Sequence, residues 1–92
     1  MELRFWHDPE TGLPHILEHG VNENEVTDVL RRPGEDRAGD EATRVAIGQT
    51  RAGRYIKVIY AKDQDSDGVF VITAYELTGK PLKAYRRRRR SK

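Results

Sequence analysis

The residues of this 92-residue chain best suited to chemistry on a phosphate are Arg44, Lys57, Thr73, Tyr75, Tyr85 and His19. Arg44 and Lys57 can hold phosphate oxygens, the arginine in bidentate fashion through its planar fork. Thr73 can orient a phosphate, and Tyr75 and Tyr85 can stack on bases or pass a proton. Histidine is the side-chain type that ordinarily titrates near neutrality, so His19 is a candidate acid or base. A competing role for it is local, because a positive imidazole at a helix end also pairs with the helix dipole. Tyr55, Lys80, Lys83, Arg86, Arg87 and Arg88 form a second set, suited to binding nucleic acid. His15-Ile16-Leu17-Glu18-His19 matches the H-x-x-E-H string of inverted zinc peptidases. The segment is short and no third ligand is evident, so neither a metal nor a cofactor is expected. His7 reads as part of a turn with Asp8, and Phe5 and Trp6 as rings closing a core or a protein interface. There is no phosphate-cradling glycine loop, no serine nucleophile motif and no calcium-loop pattern between Asp63 and Asp67.

These residues must be positioned by short elements. Leu3 to Trp6 reads as a strand closed by Asp8-Pro9, and Pro14 to Glu18 as a short helix ended by Gly20. Asn22 and Glu25 stand at capping-box spacing, and Val26, Val29 and Leu30 share one helix face. Pro33-Gly34 stop that helix, and Gly34 to Glu41 reads as a mobile loop. Strands are predicted at Arg44–Gln49, Arg54–Ala61 and Val69–Glu76. Their connections are short, so an antiparallel meander is expected. Pro81 opens a terminal helix bearing Leu82 and Tyr85. The expectation is therefore α+β: about four antiparallel strands, two N-terminal helices on one face and a C-terminal helix, in the order β-α-α-β-β-β-α.

Strand alternation sorts the meander into two faces. Val45, Ile47, Ile56, Val58, Tyr60, Phe70, Ile72 and Ala74 make one apolar set, expected against the helices. Arg44, Ala46, Gly48, Tyr55, Lys57, Val71, Thr73 and Tyr75 make the other. Cations, hydroxyls and rings together suit a polyanion with unpaired bases. The alternative is that the terminal helix simply covers this face.

Apolar residues make up 36% of the chain and charged residues 35%, with no cysteine. So thin a core fits one domain over residues 1–84, with an arginine-rich helix end or tail at 85–92, and makes a homodimer or a partner protein an attractive source of stability. Net charge is only +2, yet acidic residues gather between Glu10 and Glu41 while Arg86 to Arg90 run unbroken. That asymmetry suggests a phosphate backbone or an acidic segment as partner, or a solvated terminus. No apolar run is long enough to span a bilayer, so a cytoplasmic location without membrane association is expected.

Phe5-Trp6-His7-Asp8-Pro9 followed by His19-Gly20-Val21 resembles the opening of BrnT-type toxins of bacterial toxin–antitoxin pairs. Ala46-Ile47-Gly48-Gln49-Thr50, Gly53-Arg54-Tyr55, Val58-Ile59-Tyr60 and Val71-Ile72-Thr73-Ala74 are similar to that family's central hairpin and last strand. His19-Gly20-Val21 with Glu25-Val26, Val29-Leu30 and Pro33 is also similar to a related uncharacterised domain family. The resemblance implies a fold like the RelE ribonuclease toxins, cleavage of RNA, mRNA above all, and an antitoxin that masks the site and binds DNA. It departs from the pattern at Tyr75-Glu76, Glu18 and His15, where the family carries an arginine, a lysine and an asparagine. Cleavage of this kind needs no metal: the 2′-hydroxyl attacks the adjacent phosphate while the protein orients the groups, stabilises the developing charge and protonates the departing oxygen. In this reading Arg44 and Lys57 clamp the phosphate and Arg86 to Arg88 steer RNA. The alternative is a non-catalytic RNA- or DNA-binding or protein-interaction module on the same scaffold.

Overall fold

A computed structural model describes residues 2–64 and 66–90; Met1, Asp65, Ser91 and Lys92 lie outside the described residues. In chain order the elements are β1 (Leu3–Phe5), a 3-10 helix (His15–His19), α1 (Glu23–Arg31), β2 (Glu35–Ala38), β3 (Arg44–Gln49), β4 (Tyr55–Lys62), β5 (Val69–Glu76) and α2 (Gly79–Arg90). The domain is α+β, as expected. The capping box forms: Asn22 Oδ1 accepts from the Glu25 amide at 2.9 Å, and the Glu25 carboxylate accepts from the Asn22 amide at 3.1 Å. The 3-10 helix ends at Gly20, whose φ of 71° is the left-handed conformation that glycine adopts without strain.

The sheet has five strands, not four, in the order β1-β5-β4-β3-β2. Both edges depart from the expectation, β1 in its direction and β2 as the additional strand. β1 pairs parallel to β5, which makes the sheet mixed. The expected mobile loop contains β2, which pairs antiparallel to β3. Glu-Asp-Arg-Ala has no hydrophobic alternation to betray a strand, and its pairing rests on backbone bonds that any sequence can make. Its charges also suit an edge that must not recruit another chain.

The assignment of strand faces requires correction. Val45 pairs with Ile59 and Ile47 with Lys57, so both valine and isoleucine lie opposite the face that carries Ile56, Val58 and Tyr60. Alternation within each strand was legible, but the turn between β3 and β4 sets their relative phase, and a slip of one residue reverses a whole strand. The helix-facing row holds Ala46 and Gly48 because α1 sits close. A Cβ on Gly48 would lie 3.4 Å from both Val29 Cγ1 and the Arg32 carbonyl. In β5 a register shift opposite Ile59 and Tyr60 leaves Ile72 between two paired residues. It brings Val71 onto the helix-facing side with Ala74, while Thr73 and Tyr75 remain opposite.

Two apolar clusters result. Ile16, Val21, Val26 and Val29 pack on Ile56, Val58, Tyr60 and Val71 on one face of the sheet. On the other, Tyr85 of α2 packs with Val45, Ile47 and Leu77, flanked by Tyr55, Ile59 and Leu82. The terminal helix therefore covers part of the face expected to be open.

Candidate functional site

Arg44 and Lys57 do not share a face, so together they cannot clamp one phosphate. Arg44 sits opposite Tyr60, Lys57 opposite Tyr75. The Arg44 guanidinium donates to Asp36 Oδ1 at 3.0 Å, and the Tyr60 hydroxyl donates to Asp36 Oδ2 at 2.7 Å. Burial, reinforced by that bond to a carboxylate, pushes the Tyr60 hydroxyl up to about 12. Arg44 is thus the cation of a local network that fastens β2 to β3 and β4. Tyr85 is also corrected: it is 4% exposed within the second cluster, and burial raises its hydroxyl above the usual tyrosine range. It is a packing residue, unsuited to proton transfer.

Of the residues expected to bind nucleic acid, Arg86 lies with its guanidinium 5.9 Å from the Tyr55 ring centroid. Arg88 points elsewhere, donating twice to the Glu35 carboxylate at 2.6 and 2.9 Å. Lys80, Lys83 and Arg87 are exposed on α2. Arg88 corrects the expectation of three consecutive arginines acting alike, because successive residues on a helix point in different directions.

What the structure does gather is Thr73, Tyr75 and His19, with His15, Trp6 and Ile72, around a pocket of about 460 Å³. The register shift at Ile72 aims Thr73 and Tyr75 into it. The His15 amide donates to the Trp6 carbonyl at 2.9 Å, which ties the 3-10 helix to the end of β1. Ile16 plugs the first core, leaving His15 and His19 at the pocket. Arg54 anchors the far end, donating to the Gly20 carbonyl at 3.0 Å, to Glu25 at 2.6 Å and to Glu76 at 3.3 Å.

The two imidazoles meet through Nε2 atoms 3.3 Å apart, so one nitrogen donates and the other accepts. Behind them Glu18 Oε2 lies 2.6 Å from His15 Nδ1, off the direction of a hydrogen bond. Thr73 Oγ1 is enclosed and has no hydrogen-bond partner among the described residues. The Lys57 ammonium sits 5.7 Å from the Tyr75 ring centroid, and that ring meets His19 edge-on at 6.0 Å. Trp6, 40% exposed, turns its ring to His15 at 5.3 Å instead of closing the core. The pocket therefore combines a hydrogen-bonded imidazole pair, hydroxyls and an open aromatic surface, with the Lys57 ammonium beside it at the Tyr75 ring.

Trp6, His15 and Ile72 are the members that sequence reasoning missed as site residues. The spacing of His15 and His19 is visible in the sequence, where it reads as a zinc string. Asp8, His15 and Glu18 each offer one ligand atom within 4.8 Å of the others, so this corner is also where a divalent ion would compete with a proton. In comparisons with models of protein families, with curated proteins and with solved structures, the chain matches none of them.

Proposed function

We propose that this chain is a cytoplasmic, toxin-type endoribonuclease that cleaves RNA without metal and is held inactive by a cognate antitoxin. The observation that carries the reading is the hydrogen-bonded His15–His19 pair beside Thr73, Tyr75 and Lys57. His19, the exposed member, takes the proton of the attacking 2′-hydroxyl. The charge passes to His15, beside Glu18, across the shared Nε2 contact and returns the same way, so that His19 gives the proton up to the departing 5′-oxygen. Lys57 stabilises the phosphorane charge, and Thr73 Oγ1 gains a phosphate partner that offsets its enclosure. Tyr75 and Trp6 offer faces for the flanking bases. The BrnT resemblance supports the reading, as does the element order, which is the implied β-α-α-β-β-β-α with β2 added. Among the described residues Trp6, Leu13 and Leu17 are the exposed large apolar ones, and all lie on the segment framing the pocket, where an antitoxin would cover it.

Purified protein in chelator-containing buffer should cut RNA, leave DNA of the same sequence intact and produce 2′,3′-cyclic phosphate ends. Expression without the antitoxin should arrest growth. Intact RNA after prolonged incubation at high protein concentration removes the reading. Cleavage that needs an added divalent ion would move the chemistry to Asp8, His15 and Glu18. A second reading, a non-catalytic nucleic-acid-binding module, is favoured by the concentration of arginines on α2. It predicts steeply salt-dependent binding and no cut.

A further inference from the structure

Beyond the pocket lies a groove of about 580 Å³ between the end of α1, the β3–β4 turn and α2. Arg31, Arg32, Arg51, Arg86, Arg89 and Arg90 line it. Among the described residues Asp28 supplies the groove's carboxylate, and it is already engaged, accepting from the Arg51 amide at 3.1 Å with Arg51 Nε at 3.5 Å. Six cations against one carboxylate repel one another. The C-terminal dipole of α1 offsets part of this for Arg31 and Arg32. It does little for Arg51, whose side chain is 86% exposed, or for Arg86; Arg89 and Arg90 have the C-terminal dipole of α2 instead, and Arg89 donates to the Gly34 carbonyl at 2.8 Å. A charge block serving solubility would lie dispersed on one element. Here three elements far apart in sequence converge their arginines on one groove.

We infer that this groove binds the phosphate backbone of single-stranded nucleic acid, with the Arg86 guanidinium on the Tyr55 ring forming the platform on which one base stacks. Arginine, not lysine, fills every cationic position, and its fork matches two phosphate oxygens at once. An acidic peptide would use the charges but not the ring. Single strands use both, because every base has a face to stack. The site does not depend on cleavage, since DNA lacks the 2′-hydroxyl that the pocket would activate.

The test is binding of a fluorescent 20-nucleotide oligo(dT) to the full chain at several salt concentrations. Arg51→Glu with Arg86→Glu should weaken binding at least tenfold and flatten the slope of log K against log salt by about 1.4, on the order of 0.7 for each lost phosphate contact. Lys62→Glu, an exposed charge reversal outside the groove, should change affinity less than twofold. Circular dichroism melts should match for all three proteins, because the altered side chains are exposed. Equal loss in Lys62→Glu would reduce the effect to net charge and overturn the inference. So would tighter binding of poly-glutamate than of oligo(dT), which would make the groove a protein-docking site. Failure of cleavage with oligo(dT) binding intact would sink the pocket and leave the groove standing; the reverse result would do the opposite.

Discussion

The histidine pocket and the arginine groove solve different problems with different chemistry. The pocket holds groups that can change protonation, set against Trp6, Ile72 and Tyr75. The groove holds guanidinium groups that keep their charge at any working pH. Fixed charge gives affinity and steering; a shared proton gives reactivity. The comparison teaches that binding and bond-breaking can be separated by substitution in this chain, and it can be broken from either side.

The largest effect is expected at the pocket. His19→Ala should lower the cleavage rate on the order of 10²- to 10⁴-fold, the usual worth of a positioned acid or base, while oligo(dT) affinity stays within about twofold. Equal losses in both assays would merge the two regions into one site.

Gly34→Ala attacks the groove through its support. A Cβ there would overlap the Tyr85 hydroxyl, and the buried ring must shift, so the substitution should destabilise the protein by about 1–3 kcal/mol in chemical denaturation. Near the denaturation midpoint, groove binding should fail before the pocket loses its near-ultraviolet Trp6 signal.

A smaller, pH-dependent effect comes from Glu35. Its hydrogen bond from Arg88 holds the carboxyl below the usual glutamate value. A lowered folded-state value means that the stabilisation is present above the unfolded glutamate range and is lost as pH falls through the folded one. Against Glu35→Gln, the wild type should be more stable at pH 7, by roughly 0.2–1 kcal/mol for so exposed a pair, and no more stable at pH 3. A difference that persists at pH 3 would remove the ion pair as its cause.

Least of all should change with Arg44→Ala. Its guanidinium serves Asp36 on the opposite sheet face, so cleavage should stay within about twofold of wild type. A large loss would revive the single-face clamp read from the sequence.

Local signals survived folding well. Asn22 and Glu25 formed their capping box, β3 and β5 have the expected bounds, and Gly20 ends its helix in the left-handed conformation. Each depends on residues a few positions apart. What failed depends on pairings between distant segments. The phase of Val45 and Ile47 is set by a turn, the facing of Val71 by the register shift at Ile72, and β2 by backbone bonds that leave no mark on side-chain pattern. The groove was half legible: the α2 arginines stood out, but their meeting with Arg31, Arg32 and Arg51 is a tertiary event. The pocket was legible in its parts, Thr73, Tyr75 and His19, and hidden in its assembly with Trp6 and His15.

The most direct test compares single-turnover cleavage of saturating RNA, in chelator, by wild type, His19→Ala and the Arg51→Glu, Arg86→Glu protein. The account predicts near-wild-type rates for the groove variant once RNA saturates it, and a loss of at least a hundredfold for His19→Ala. A full-speed His19→Ala enzyme would contradict it.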